Sequence, residues 1–359
     1  MSYTNLRSIS HRETTWFLCL MFVSKILFAD ISRYVSSSGT AAYMQTVWSA
    51  LIALLLFEIS ARFFKGEDLL CSAKVALGDK GQKAVGFFIS ILLLFNAAIM
   101  VRVYGDIIGS IVLPEASLYF ITAFMSAAIL VACFSGVRTI VAYAYGAGVV
   151  VVATLAVILI LNLPNYNITN MYPVFGNGIS KILSDINGLN VYSDVFLIFL
   201  ISPYLSKSAS LEKLGTKAIL ISGAVVTLTT FLYVLSVPYP SSANFTLPIL
   251  EIAFDVNLDV IFQRAEGLFL FIWILSGFVV ISTYICFSIA VLEKSFNFSD
   301  RRALVGICVF ISLCLALSFG SLPDNIKIYD TFYKIFTAVA FLLPVIIFAV
   351  CKTRCKEKI

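Results

Sequence analysis

The residues of this chain that could do chemistry are charged side chains within or beside long apolar stretches. Lys25 lies about 11 residues, or roughly 16 Å of helix, into the first apolar stretch. A lysine near the bilayer centre costs on the order of 2.5 to 3.5 kcal/mol, so its ammonium should face a bundle interior, a partner or a water-filled cavity. Asp30, one turn outward, and Asp194, in the sixth stretch, are candidate neutralising partners. Two interpretations stay open: a fixed cation in a ligand site, or a side chain that snorkels to the membrane edge.

A second charged group surrounds a short apolar segment after the seventh stretch. Glu251 and Asp255 are four residues apart, so they share one face of a short helix. Arg264 and Glu266 are two residues apart and cannot face each other. Arg264 is therefore free to clamp the short helix through its acids. We predict an outer lid with a structural role, held by ion pairs among these four residues.

The sequence contains no recognisable catalytic or metal-binding motif. Its one histidine, His11, precedes the first stretch, and no G-x-S-x-G, H-E-x-x-H or phosphate-loop pattern occurs. The eight cysteines form no C-x-x-C pair and no Cys/His ligand set. We therefore predict that the protein is not an enzyme and uses no cofactor or metal. The net charge of +5 gives no reason to propose a nucleic-acid partner, because a membrane protein concentrates basic residues in its loops.

The elements that position these charges are helices long enough to cross a bilayer. A chain with 60% apolar residues, a mean hydropathy of +0.98 and 13% charged residues would expose far too much apolar surface in water. A spanning helix needs about 20 predominantly apolar residues. The long apolar runs of this chain meet this requirement and lack the alternation of β-barrel strands. We predict an all-α integral membrane protein of about ten helices. The predicted spans are Thr14–Ala29, Ala41–Phe64, Ala84–Leu113, Ser117–Ser135, Thr139–Leu163, Asn190–Leu205, Thr216–Val237, Val260–Leu292, Ala303–Phe319 and Thr331–Val350.

The distribution of lysine and arginine predicts the orientation in the membrane. With the N-terminus inside, eighteen basic residues fall in cytoplasmic segments and five on the opposite side, and Lys25 and Arg102 fall within spans. This is a positive-inside bias, so both termini should be cytoplasmic. The first span lacks a signal-peptidase pattern and should remain in the membrane.

Ten spans divide into two sets of five, with the first and sixth spans in corresponding places. Lys25 and Pro203 lie on these two spans. Inverted five-helix repeats place substrate at the midplane, between a discontinuous first and a discontinuous sixth helix. Because proline removes a backbone donor, we predict a break near Ser202. The predicted divisions of this single polytopic domain (1–359) are repeats at 12–163 and 190–351, an outer loop with the lid helix at 238–263, and a cytoplasmic tail at 352–359.

The segment after the seventh span carries the most specific pattern. It has the form P-x-L-E-x-A, followed by R-x-E and an apolar helix that contains tryptophan. The residues that carry this pattern are Pro248, Leu250, Glu251, Ala253, Arg264, Glu266 and Trp273. In this pattern the chain resembles the B subunits of spore germinant receptors, the GerAB-like endospore permeases. The segment Tyr172-Pro173-Val174-Phe175-Gly176-Asn177-Gly178 is also similar to that family, and the resemblance covers essentially the whole chain.

The resemblance implies a fold and a role. The fold is the five-plus-five inverted repeat of the amino acid, polyamine and organocation transporters, which is LeuT-like. The role is to bind a small nutrient such as an amino acid in the inner membrane of the endospore, together with germinant receptor A and C subunits, and to trigger germination. The chain departs from the family at Val23-Ser24-Lys25, where small residues are usual, and at Arg138, where an acid is common.

We expect the site to lie around these two corresponding helices. Lys25 would project into the cavity and either pair with a ligand carboxylate or replace a bound coupling cation. The predicted ligand-binding residues are Ser24, Lys25, Asn96, Phe199, Ser202, Pro203, Trp273 and Ser276. Lys25 and Asp194 are the candidates for ion or proton coupling. Nutrient sensing is the leading prediction, and the alternatives are a proton-coupled secondary amino acid transporter and a scaffold for partner subunits.

Overall fold

The computed structural model describes residues 8–28, 30–64, 66, 68–206, 210–256, 265–320 and 322–356. Within these ranges the chain is helical, apart from turns and one isolated β-bridge between Ile9 and Leu205. The α-helices are α1 (His11–Ile26), α2 (Asp30–Ser38), α3 (Ala42–Phe63), α4 (Leu69–Ile107), α5 (Leu118–Ser135), α6 (Val137–Leu161), α7 (Ile179–Ser184), α8 (Leu197–Ile201), α9 (Leu211–Ser236), α10 (Pro248–Phe254), α11 (Ala265–Phe296), α12 (Arg301–Ser318) and α13 (Leu322–Lys356).

Nine helical stretches in the described part of the chain are long and apolar enough to cross a membrane. They correspond to the second to tenth predicted spans. The first predicted span is α1, which has 16 residues and is shorter than the others. The next helix along the chain is α2, whose residues are mostly buried although the sequence predicted them to lie outside the membrane.

Helix α1 is the central element of the bundle. It begins with a capping box, in which the Ser10 side chain accepts from the Glu13 amide and the Glu13 side chain accepts from the Ser10 amide. Almost every side chain from Thr14 to Ile26 is buried, because α6, α9 and α11 surround the helix. A helix that is buried on every face must be apolar on every face. Lys25, in the last turn, is the charged exception.

The sixth span is irregular, and most of the irregular backbone lies before the point that the sequence predicted. The chain winds as a 3-10 helix over Asn187–Phe196, which we call the 3-10 segment, and continues as the single-turn helix α8. Pro203 does not cause this break. It lies in the first turn of a separate 3-10 turn, Ser202–Tyr204, where its missing N–H needs no partner. Helix α8 does end at Ile201, next to the predicted break at Ser202, but the larger irregularity is the 3-10 segment, which begins about four turns earlier.

Two further differences concern helix ends. Helix α4 starts well before the predicted third span and bends at Gly78, whose positive φ of 77° suits glycine. Helix α13 continues through Lys356, so most of the predicted tail at 352–359 is helical. The short helix α10 lies where the sequence placed the lid and packs against α9 and α11.

Candidate ligand cavity and buried ion pair

Lys25 is held by oxygen atoms of the 3-10 segment. Its Nζ lies 2.9 Å from Asp194 Oδ2. It also donates to the Asn190 carbonyl at 2.6 Å and to Ser193 Oγ at 2.8 Å. The Lys25 and Asp194 side chains are 1% and 0% exposed. Each of the three ammonium protons thus has an oxygen partner, which is the condition for keeping this charge in the core.

The local winding of the chain places these oxygens together. In a 3-10 helix, residues three apart eclipse one another, so Asn190 and Ser193 lie on the same face. Ser193 Oγ also donates to the Asn190 carbonyl at 2.8 Å. Asp194 follows directly and accepts from the Tyr284 hydroxyl at 3.0 Å. Of the two candidate partners of Lys25, the structure selects Asp194.

Asp30 takes part in a different ion pair, at the predicted outer side. It accepts from Arg33 at 2.7 Å within α2. The other end nitrogen of Arg33 lies 3.0 Å from Asp330 of α13. The Arg33 guanidinium also lies 4.3 Å from the centre of the Tyr329 ring. Arg33 therefore joins α2 to the last helix, α13.

These elements enclose a cavity of about 750 Å³. Its walls come from α2, from residues 185–191 and from α13, with contributions from α3. The charged side chains in its lining are Asp30, Arg33, Asp185, Asp330 and Lys334. This set contains three carboxylates and two cations, so the cavity is slightly acidic.

Several polar atoms in the cavity wall have no hydrogen-bond partner among the described residues. They include Asp30 Oδ2, Asn190 Oδ1 and the Thr337 hydroxyl. Asp30 is 4% exposed and Asn190 is 7% exposed. An unpaired buried polar atom costs about 1 to 3 kcal/mol, so a ligand that reached these atoms would remove this cost.

Tyr333 separates the cavity from the Lys25 site. Its ring lines the cavity, and its hydroxyl donates to Asn96 Oδ1 at 2.6 Å. The Lys25 Nζ lies 5.7 Å from the centre of the same ring. Lys25 and Asn96 therefore lie behind the cavity wall. The expectation that Lys25 projects into the cavity is not met, because Asp194 and the 3-10 segment hold its ammonium.

The other predicted ligand residues are also absent from the cavity lining. Ser24 donates to the Met21 carbonyl of its own helix. Ser276 donates to the Trp273 carbonyl, and the Trp273 indole stacks on Tyr104 at 4.3 Å between ring centres. A ligand-binding role for these residues stays a prediction.

Three predicted residues lie towards the other end of the sixth span. Phe199 is buried and packs against Phe57 and Phe348. Ser202 donates weakly to the Phe199 carbonyl, at 3.4 Å, and Pro203 is exposed. These side chains were grouped with Lys25 because all lie on the first or sixth span, but the winding of the 3-10 segment separates them from the cavity.

The predicted lid is described only in part. Glu251 is partly buried on α10, and burial, together with the nearby Asp255 carboxylate, raises the pKa of its carboxyl. Asp255 is exposed, and its carbonyl accepts from the Asn165 side chain at 2.8 Å. Glu266 is partly buried at the start of α11. Arg264 lies outside the described residues, so the ion-paired lid stays a prediction.

Sequence reasoning missed the last helix as a cavity wall. Tyr329, Tyr333, Thr337 and Phe341 all line the cavity and follow one another at intervals of four. This spacing puts polar aromatic and hydroxyl groups on one face of a spanning helix. Polar groups that share one face of such a helix were the available signal, since lipid does not favour them.

A comparison with known proteins places this chain in a family. Residues 9–324 match the profile of the spore permease family, described as "Spore germination protein". The chain belongs to the spore germination protein family. It is 23% identical over 338 residues to spore germination protein KB of Bacillus subtilis (strain 168), and the match covers 90% of each chain. The predicted family is thereby confirmed.

Solved structures show the fold of this spore permease family member. Mhp1, a nucleobase-cation-symport-1 family transporter, aligns over 93% of this chain and 76% of its own, with a TM-score of 0.62 and 14% identity. The manganese transporter of Eremococcus coleocola aligns over 96% and 83%, with a TM-score of 0.60 and 14% identity. The LeuT-like fold class is confirmed. Family and structural neighbours are of permease or transporter type.

Proposed function

We propose that this spore permease is the nutrient-binding subunit of a spore germinant receptor and that the nutrient occupies the cavity between α2, α13 and residues 185–191. The observation that carries this proposal is the cavity itself, whose lining includes Asp30 and Asn190, two residues with a buried acceptor that has no partner among the described residues. Ligand pockets typically combine an apolar lining with a few such convergent polar groups.

The chemistry of the wall favours a ligand that brings hydrogen-bond donors. A carboxylate oxygen and an amide oxygen both accept, so a protonated amine or a hydroxyl would satisfy them. Lys25 is neutralised by Asp194 and offers no free charge to a ligand carboxylate. Lys334, also in the lining, is exposed and has no ion-pair partner among the described residues. An amino acid would then place its ammonium near Asp30 and Asn190 and its carboxylate towards Lys334.

Asn190 connects the cavity to the buried ion pair. The residue lines the cavity, and its backbone carbonyl accepts from Lys25 at the end of α1. Movement of Asn190 on ligand binding would therefore change the contact between α1 and the 3-10 segment. In the proposed mechanism, the nutrient binds one conformation better and shifts the population towards it. A tenfold preference supplies about 1.4 kcal/mol for this shift.

The cellular setting in this proposal follows from the family. The subunit would lie in the inner membrane of the endospore with both termini in the cytoplasm. The A and C subunits of the receptor would be its partners and would receive the conformational change. Three contacts at the predicted cytoplasmic side support an outward-open cavity: Lys294 pairs with Asp68, Arg301 lies 2.7 Å from Glu293, and the Ile9 amide donates to the Tyr204 carbonyl.

Thermal unfolding of the purified protein across amino acids, sugars and nucleosides tests this proposal. A ligand at 100 times its Kd should stabilise the protein by about 2.7 kcal/mol. Asn190→Ala should weaken the affinity by roughly 5- to 150-fold, because a lost buried acceptor is worth about 1 to 3 kcal/mol. Gln82→Ala removes an amide from α4, away from the cavity, and should leave the affinity unchanged. The absence of any stabilising compound, or equal affinity in Asn190→Ala, would contradict the proposal.

A proton-coupled secondary amino acid transporter is the second candidate. It is favoured by the buried Lys25–Asp194 pair, since intramembrane pairs of ionisable groups serve as proton relays in transporters. Uptake of radiolabelled amino acids into liposomes, with and without a proton gradient, separates the two functions. Binding without sustained uptake is the expected result for a sensor, and gradient-driven accumulation would establish transport instead.

A further inference from the structure

The connection between α6 and the 3-10 segment has an unusual surface. Residues 163–186, which we call the outer segment, expose seven large apolar side chains, each between 48% and 69% accessible. These residues are Leu163, Ile168, Tyr172, Phe175, Ile179, Leu183 and Ile186. A surface with so many apolar side chains marks contact with a partner or with a membrane.

Hydrogen bonds to the helix bundle hold the outer segment in place, so its apolar surface has a defined position in the fold. The Asn167 amide and the Asn170 side chain both donate to the Leu235 carbonyl, at 3.0 and 2.9 Å. The Asn177 amide donates to the Ser38 carbonyl at 3.1 Å. Hydrogen bonds thus hold the outer segment against the bundle while its large apolar side chains stay exposed, together with polar side chains such as Asn165, Thr169 and Ser180.

Two contacts give the depth of the outer segment relative to the spans. Leu235 is the penultimate residue of α9, so the Asn167 contact lies at the end of a spanning helix. The Trp48 indole donates to the Leu183 carbonyl at 3.2 Å. Trp48 is six residues into α3, or about 9 Å along that helix. Helix α7 therefore runs beside α3, below the level at which α3 begins.

The composition and the neighbours of the outer segment match the boundary of a bilayer. Lys181 and Asp185 are its charged residues among 24 positions. Tyrosine and tryptophan are enriched at this boundary, and exposed Tyr172 and partly exposed Trp48 lie here. Next to Trp48 on α3, Val47 and Leu51 are 44% and 48% exposed, as expected for side chains of a spanning helix that face lipid. The apolar surface of the outer segment continues this lipid-facing surface.

We propose that the outer segment lies in the head-group layer of the membrane, with its exposed apolar side chains from Leu163 to Leu183 in contact with phospholipid. The lipid bilayer is thus the partner of this surface. The last two residues of the outer segment, Asp185 and Ile186, line the ligand cavity, and this lining continues through Val191. One wall of the cavity is therefore continuous with an element that is fixed to the membrane surface. This inference does not depend on the identity of the ligand.

Tryptophan fluorescence in nanodiscs tests this location. Phe175→Trp and Ile179→Trp each add one indole to the outer segment, on the background of the three native tryptophans. Leu55→Trp, at a 61% exposed position of α3, is the lipid-facing control. Glu115→Trp, in the exposed turn before α5, is the water-facing control. The probes are phosphatidylcholine brominated on its acyl chains near the head group, and aqueous iodide.

Brominated lipid should quench the added indoles at positions 175 and 179 at least half as strongly as it quenches the indole of Leu55→Trp. Iodide should quench them far less than it quenches the indole of Glu115→Trp. Quenching by iodide alone would overturn the proposal and leave the surface in water. Quenching by neither probe would also overturn it, because the surface would then be covered by protein. Melting curves that match wild type confirm that each variant is folded.

Discussion

Lys25→Met should destabilise the protein by about 3 to 5 kcal/mol, the usual result of removing one partner of a buried ion pair. The Asp194 carboxylate is fully buried, and Lys25 is its cationic partner at 2.9 Å. In the variant, the Tyr284 hydroxyl would be the remaining donor to this carboxylate among the described contacts. The Asn190 carbonyl would also lose its bond from Lys25. Thermal unfolding in detergent, read by intrinsic fluorescence, measures the loss.

The double variant Lys25→Met with Asp194→Leu tests whether the loss of stability comes from leaving the Asp194 charge buried without its partner. Removing both charges should recover much of the lost stability, because an apolar pair of similar volume can replace a buried ion pair at little cost. The matched control is Lys74→Met, which breaks the exposed Lys74–Asp79 pair and should leave unfolding unchanged. If Lys25→Met were as stable as wild type, the buried pair would not stabilise the fold.

The same double variant distinguishes two roles of Lys25 in ligand binding. Lys25 lies behind Tyr333, so the double variant, once folded, should retain most of its affinity for carboxylate-bearing nutrients. Selective loss of those nutrients, with normal folding, would instead support the expectation from sequence that Lys25 pairs with the ligand. Binding isotherms for an amino acid and for its decarboxylated amine give the comparison.

Arg33→Met should have the second largest effect, with a loss of about 2 kcal/mol in stability. Arg33 joins α2 to α13 and neutralises Asp30, whose side chain is 5% exposed. The Arg33 side chain itself is 28% exposed, so solvent screens part of the interaction and the loss should be smaller than at Lys25. Ligand dissociation should also accelerate, because Arg33 crosses from one wall of the cavity to the other. Stopped-flow measurement of ligand release gives this rate.

A double-mutant cycle of Arg33→Met and Asp330→Asn isolates the contact across the cavity. Residues in direct contact typically show coupling of about 0.5 to 3 kcal/mol. Additive effects would mean that Arg33 acts through Asp30 and the Tyr329 ring instead of through α13. Arg33→Lys is the conservative control, and it should keep the charge near Asp30 but lose the two-sided geometry of the guanidinium.

The sequence predicted the membrane-spanning helices well because lipid imposes a local rule. Each spanning segment must satisfy its own backbone and present apolar side chains over about 20 residues, so hydropathy alone locates it. The rule fails where protein replaces lipid as the surroundings. The residues of α2 are buried by the bundle, so polar Asp30 and Ser32 lie inside although hydropathy predicted them outside.

Lys25 and Asp194 could be identified from the sequence because a charge in an apolar span needs a compensating partner. The choice between Asp30 and Asp194 could not be made in the same way. It depends on the 3-10 segment, which turns the Asn190 carbonyl, Ser193 and Asp194 towards α1. Pro203 did not indicate the position of the 3-10 segment. It lies in the first turn of a later 3-10 turn, where its missing N–H needs no partner.

The sequence by itself determined that this chain spans a membrane as helices, that it carries a costly internal lysine, and that it resembles the spore permeases. The tertiary structure decided where the cavity lies. Its walls come from α2, α13 and residues 185–191, which are far apart in the chain and contribute few polar groups each. Hydropathy and local spacing report on the surroundings of one helix at a time. A cavity is formed by how several helices pack, so the tertiary structure was needed to bring Asp30, Asn190 and Tyr333 together.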